Sequence, residues 1–152
     1  MSQYLSVKTY TNLTGLSERT IRRYISMSTI DFISDSTKHK TLIALSEVKK
    51  NSPIPLTNED ITLITQADEG DACAQNDLAL LFLEHSKSSI AIYWLSLSAK
   101  QDFSDAMQLL GQCYATGNGV TKDSNQAIMW ISKAAALGHI LASKQMEAIL
   151  PR

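Results

Sequence analysis

The second half of the chain repeats itself, and a repeat of this length admits few folds. The pattern Ala, two residues, a small or polar residue, three residues, Ala occurs three times. It appears as Ala67, Gly70 and Ala74, as Ala99, Asp102 and Ala106, and as Ala135, Gly138 and Ala142. The later copies are offset by 36 residues: Ala91 matches Ala127, Trp94 matches Trp130, and Ala99 matches Ala135. The earlier copies are offset by 32, with Ala74, Leu78, Ala79 and Phe82 matching Ala106, Leu110, Gly111 and Tyr114. The difference falls between Ala115 and Gln126, where Gly117-Asn118-Gly119-Val120 is inserted. Insertions belong in turns, so the offset itself supports the alignment.

Each unit reads as a helical hairpin. Leu78, Leu81 and Phe82 have the i, i+3, i+4 spacing of one helix face, and Leu109, Leu110 and Tyr114 follow it approximately. The small residues suit the points where two helices cross. Gly117 and Gly119 suit a turn that needs positive φ. Asp123 or Ser124 opens the next helix as its cap, and Thr57 with Asp60 forms a capping-box start. The spacing predicts helices over 58–69, 71–84, 88–101, 104–116, 124–137 and 140–150. A hairpin cannot bury its apolar face alone, so the units must stack into a short α-solenoid.

These residues carry a resemblance. Ala106, Leu110, Gly111, Tyr114, Gly117, Gly119, Val120, Asp123, Ala127, Trp130, Lys133, Ala134, Ala135 and Gly138 closely match a Sel-one-like repeat, a relative of the tetratricopeptide repeat. The unit over 72–103 matches less fully, with Ala79 for the glycine and no Gly-x-Gly-Val turn. The resemblance implies a solenoid used for protein–protein contact, and it implies no chemistry.

The first fifty residues differ in kind. They hold eight Lys/Arg against four Asp/Glu, whereas residues 51–152 hold six against eleven. The overall net charge of −1 therefore sums two unlike parts. The change of sign falls at Asn51-Ser52-Pro53-Ile54-Pro55, where two prolines disfavour helix. The expected organisation is a domain over 1–50, a linker over 51–56 and the solenoid over 57–152.

Within 1–50, Ser6 caps a helix carrying Val7, Tyr10 and Leu13 on one side. Thr14-Gly15-Leu16-Ser17 makes a turn, and a second helix follows with Ile21, Tyr24 and Ile25 on one face and Arg19 and Arg23 opposite. Two short helices joined by a glycine turn suggest a helix-turn-helix. Ile30 to Ile33 and Lys40 to Leu45 read as two strands around a turn, and Ser46 caps a helix at Glu47-Val48-Lys49. Leu5-Ser6-Val7, Thr14-Gly15-Leu16-Ser17, Thr20, Arg22-Arg23-Tyr24 and Leu42 to Val48 resemble the excisionase and MerR type of winged helix-turn-helix. Ser28-Thr29 departs from it, because the family often has Gly there.

This resemblance implies docking on double-stranded DNA. Arg19, Arg22 and Arg23, with Ser17 and Thr20, would approach the major groove, where an Arg fork meets guanine or straddles a phosphate. Lys8, Lys38 and Lys40 would neutralise phosphates. The expected function is a DNA-binding transcriptional regulator or mobile-element accessory factor whose repeats bind a protein partner, with a homodimer as one form. The alternative is a non-enzymatic adaptor in which both modules bind proteins. A third reading makes the solenoid an effector arm that controls the DNA module.

No chemistry-bearing motif is visible: no His-x-x-x-His pair, nucleophile elbow, phosphate loop or metal-ligand spacing. No catalytic residue, metal or cofactor is therefore expected. Cys73 and Cys113 read as partly buried thiols, Trp94 and Trp130 as repeat packing, His85 and His139 as helix-end residues, and His39 as a surface residue beside the DNA. With no apolar run long enough to span a bilayer, and no secretory signal, a cytoplasmic bacterial protein is expected.

Overall fold

The computed structural model describes residues 3–150. The chain is mainly α and divides into two compact units, one ending at Glu69 and the other starting at Gly70.

The first unit runs β1 (Tyr4–Ser6), α1 (Val7–Thr14), α2 (Glu18–Ser26), β2 (Phe32–Asp35), β3 (Lys40–Ala44), α3 (Ser46–Asn51) and α4 (Asn58–Asp68). Its antiparallel sheet has the order β1-β3-β2, with Leu5 opposite Ile43 and Ile33 opposite Leu42. Ser6 caps α1, its Oγ accepting from the Thr9 amide at 3.1 Å. Gly15 ends that helix at φ 74°, and Ser17 caps α2 through the Thr20 amide. The core gathers Leu5, Tyr10, Leu13, Ile21, Ile43 and Val48, all without exposure. Val7, Tyr24 and Ile25 are half-buried at its edge.

Several expectations shift. β1 is an additional strand. The forward strand starts at Phe32, two residues later than expected, because Ile30 is drawn into the core ahead of it. Ser46 is the first residue of α3 and not its cap: Leu45 takes the cap position and supplies no side-chain hydrogen bond. Ser28 has φ 54°, at the place where a glycine was expected from the resemblance.

The Pro53-Ile54-Pro55 segment lies inside the first unit, and so does α4. Ile54 is buried rather than solvated. In α4, Ile64 and Ala67 are buried, and Asp68 accepts a hydrogen bond from the Thr9 hydroxyl of α1. The expected capping box is present: Thr57 Oγ1 accepts from the Asp60 amide, and the Asp60 carboxylate accepts from the Thr57 amide.

The second unit is a run of antiparallel neighbours: α5 (Ala72–Glu84), α6 (Ser88–Ala99), α7 (Ser104–Thr116), α8 (Ser124–Ala136) and α9 (Ile140–Ile149). Each helix packs on the next. The expected boundaries hold to within two residues. The repeated alanines do the packing, with Ala74, Ala99, Ala106 and Ala142 buried. The position between each alanine pair takes positive φ three times: Gly70 at 101°, Asp102 at 61° and Gly138 at 87°. It is the left-handed residue that ends one helix and turns the chain into the next.

Gly111 sits where α7 packs against α8. A Cβ there would lie 2.6 Å from Ile131 Cγ1 and 3.0 Å from the Ala127 carbonyl oxygen. Gly117 and Gly119 have φ 72° and 77°, as the turn requires. A Cβ at Gly119 would meet the Ser88 backbone at 2.6 Å, so the inserted loop rests on the start of α6. No helix among the described residues is long and apolar enough to cross a membrane.

Candidate functional site

In the first unit the basic residues sort into two groups. Arg19 and Arg23 are exposed on α2, and Arg23 lies 5.7 Å from the centroid of the Tyr24 ring. Ser17 is also exposed, but its hydroxyl is engaged in capping, 3.1 Å from the Thr20 amide and 2.9 Å from the Thr20 hydroxyl. Lys38 sits in the turn between β2 and β3. That turn is built on Asp35, whose carboxylate accepts from the Thr37 hydroxyl and from the Thr37 and Lys38 amides. The Thr37 hydroxyl bond is the main reason the Asp35 carboxyl is held below its ordinary range.

The second group converges. Lys8 of α1, Arg22 of α2 and Lys40 of β3 line one groove of about 730 Å³. Asn12, Glu18 and His39 line it too. His39 was expected only as a surface residue beside the DNA, and Asn12 was not expected in the site, although the Lys8/Asn12 helical spacing carries a signal for it. Arg22 donates through Nε (3.0 Å) and Nη2 to the same Glu18 oxygen. A further recess of about 580 Å³ in this unit lies between β1, β3, α3 and α4, with Lys49 donating to Asn58 at 2.7 Å across its edge.

The charge contrast between halves depends on where the chain is divided. Counted to Glu69, the first unit holds eight Lys/Arg and eight Asp/Glu, because Glu59, Asp60, Asp68 and Glu69 belong to it. The second unit holds six against seven. Neither is strongly charged as a whole. What the first unit has is a local concentration of cations around α2 and the hairpin.

In the second unit an apolar corner stands out. Leu137, Ile140 and Leu141, where α8 passes into α9, are 53 %, 74 % and 51 % exposed. In the preceding repeat the same positions are Gln101, Ser104 and Asp105. Apolar side chains thus replace polar ones at a solvent-facing corner. On α9 itself, exposed Glu147 occupies the position that Gly111 and Ala79 fill in buried helix crossings.

The other residues singled out have structural partners. His139 caps α9, its Nδ1 accepting from the Ala142 amide at 3.1 Å, with Nε2 3.0 Å from Asp105. His85 Nδ1 lies 3.0 Å from the Leu81 carbonyl oxygen. Trp94 is buried edge-on to Tyr93, whereas Trp130 is half-exposed with the Lys133 ammonium 5.0 Å from its ring. Cys113 is buried, which pushes its thiol up; Cys73 is exposed, contrary to expectation, and its thiol is also raised, by desolvation and then by Asp77, Asp71 and Asp105. A raised thiol holds less thiolate, so neither is an activated nucleophile. Among the described residues no cluster of His, Cys, Asp and Glu could hold a metal ion.

A model of the Sel1 repeat matches residues 74–103 and 104–139. Among solved structures, the chain is similar to a Sel1 repeat protein from Oxalobacter formigenes, with 32 % identity and a TM-score of 0.52 over 57 % of this chain and 68 % of that one. It is also similar to a protective antigen of uropathogenic Escherichia coli strains with an SLR fold. That match has 27 % identity and a TM-score of 0.57, and it covers 69 % of this chain but only 24 % of the antigen. No curated protein matches.

Proposed function

Because this chain belongs to the Sel1-repeat family through residues 74–139, we propose that it is a protein–protein interaction scaffold, an adaptor whose α-solenoid holds a protein partner. The observation that carries this reading is the corner of Leu137, Ile140 and Leu141, which exposes apolar side chains where the preceding repeat has Gln101, Ser104 and Asp105. A contiguous exposed apolar patch marks a contact surface more often than chance exposure does. The adaptor carries no catalytic step of its own.

The test copies the preceding repeat into the corner, as Leu137→Gln, Ile140→Ser and Leu141→Asp. These residues already occupy the same positions one repeat earlier, so the variant is expected to fold. Crosslinking in the native host should capture a protein partner on the wild-type chain and lose it on the variant. Equal capture by both would sink the corner as the contact. Sedimentation of the purified chain tells whether that partner is a second copy, giving a homodimer.

A second reading concerns the first unit. We propose that it contacts double-stranded DNA through Arg19, Arg22 and Arg23 of α2, with Ser17 and Thr20 at the helix start and Lys8, Lys38 and Lys40 on phosphates. The exposure of all three arginines on one short helix supports it. Under this reading the protein acts as a transcriptional regulator or a mobile-element accessory factor. Arg19→Ala/Arg23→Ala should abolish duplex retention at low salt while leaving helicity unchanged.

A further inference from the structure

The recess between β1, β3, α3 and α4 draws on both sides of the Pro53-Ile54-Pro55 segment. Ala44 at the end of β3, Leu45 after it and Ile61 of α4 give it apolar walls. Its volume of about 580 Å³ lies within the roughly 300–1,000 Å³ of small-molecule sites. Two opposite charges, Lys49 of α3 and Asp31 just before β2, also line it, and both are exposed. Although they share the recess, they form no ion pair with each other.

Each charge keeps capacity for a further partner. The Lys49 ammonium donates to Asn58 Oδ1 at 2.7 Å, a neutral acceptor that leaves the positive charge uncancelled. The Asn58 Nδ2 makes no hydrogen bond of its own among the described residues, so amide and ammonium offer donors side by side. Asp31 is fixed through its backbone. Its amide donates to Glu47 Oε1 at 3.3 Å, and its carbonyl oxygen accepts from the Ala44 amide at 2.9 Å. Its carboxylate accepts no hydrogen bond among the described residues.

We infer that this recess binds a small zwitterion with an apolar body, an amino acid whose carboxylate sits on Lys49 and Asn58 and whose ammonium sits on Asp31. A ligand with a single charge would cover the other side chain and leave that charge desolvated without a partner, which is costly. A zwitterion answers both charges, and the apolar walls take its body. Such a ligand touches α4 and the sheet together, and so holds α4 to the first unit. The site is independent of the α8–α9 corner and of the arginines on α2.

The full chain is titrated by amide NMR with L-leucine, L-phenylalanine and 4-(aminomethyl)benzoate, which set the two charges at increasing separation. Saturable shifts at the amides of Ala44, Ser46, Ile61 and Thr62 are expected from at least one of them. Lys49→Gln and Asp31→Asn should each weaken that probe about tenfold, as the loss of one charge-assisted hydrogen bond does. Both residues are exposed, so the variants keep the fold. Lys50→Gln, whose ammonium pairs with Glu47 outside the recess, should leave the affinity unchanged. The methyl ester of the probe lacks the carboxylate and should bind wild type and Lys49→Gln alike. No saturable binding by any of the three at millimolar concentration overturns the site, as do shifts confined to the solenoid. Binding that Lys49→Gln and Asp31→Asn leave unchanged overturns the assignment of a zwitterion.

Discussion

Single residues carry two consequences that are open to measurement. Ser28 holds φ 54°, a region that costs an L side chain about 1–2 kcal/mol. Ser28→Gly removes that strain but loosens the unfolded chain, so the expected net gain is below about 1 kcal/mol in urea unfolding. Ser28→Val, β-branched at the same φ, should lose stability. The second concerns Tyr10, which is fully buried and whose hydroxyl accepts from Asn51 Nδ2 at 2.7 Å. Burial, ahead of other causes, pushes its phenol from 10 up to about 12. A raised folded-state value favours the neutral phenol, so the stabilisation is complete below pH 10. It drains away as pH climbs from 10 to 12, by about 2–3 kcal/mol. Tyr10→Phe should remove that part of the alkaline loss. An identical pH profile for the two proteins would contradict it.

At the scale of elements, the two hairpins differ in the residue placed at the helix crossing. Ala79 keeps a methyl group in the α5–α6 crossing, where it is fully buried. Gly111 leaves no room for one in the α7–α8 crossing. Gly111→Ala should therefore cost about 1–3 kcal/mol through overpacking against Ile131 and the Ala127 carbonyl, although alanine favours helix. The same elements show what could be read in advance. The helices from α4 to α9 were legible because their alanines, caps and turn glycines recur at fixed offsets, and the Gly70 and Gly138 positions signal the turn that Asp102 also makes. β1 was not legible: Tyr4-Leu5-Ser6 is too short to show alternation, and it exists because β3 offers it an edge. The start of α3 was misread because a serine before a helix resembles a cap even when it lies within the first turn.

For the whole molecule, the allegiance of α4 matters most. Pro53 and Pro55 read as a break, and breaks read as boundaries. Yet Ile54 is buried, and Asp68 of α4 is bound to Thr9 of α1. Such long-range contacts leave no local pattern, which is why the division at Glu69 was hidden. So was the meeting of Lys8, Arg22 and Lys40, which no spacing along the chain reveals. A fragment of residues 1–69 should unfold cooperatively, whereas one ending at residue 56 lacks the cover of α4 and should unfold at lower urea. Equal midpoints for the two fragments would show that α4 is no part of that unit.

The rest of the inserted loop on α6 bears on how the repeats open. Gly119 touches the backbone of Ser88, and the Asn118 amide bonds to the Cys113 carbonyl at 2.9 Å. The loop of one hairpin is thereby fastened to the first turn of α6, the second helix of the hairpin before it. Frayed from its end, such a stack would exchange its amide protons helix by helix. Here α7, its loop and the beginning of α6 should exchange as one unit, with matched protection at Asn118 and Ala91. Only α9, outside that clasp and with Ala142 as its one buried residue, is free to open first.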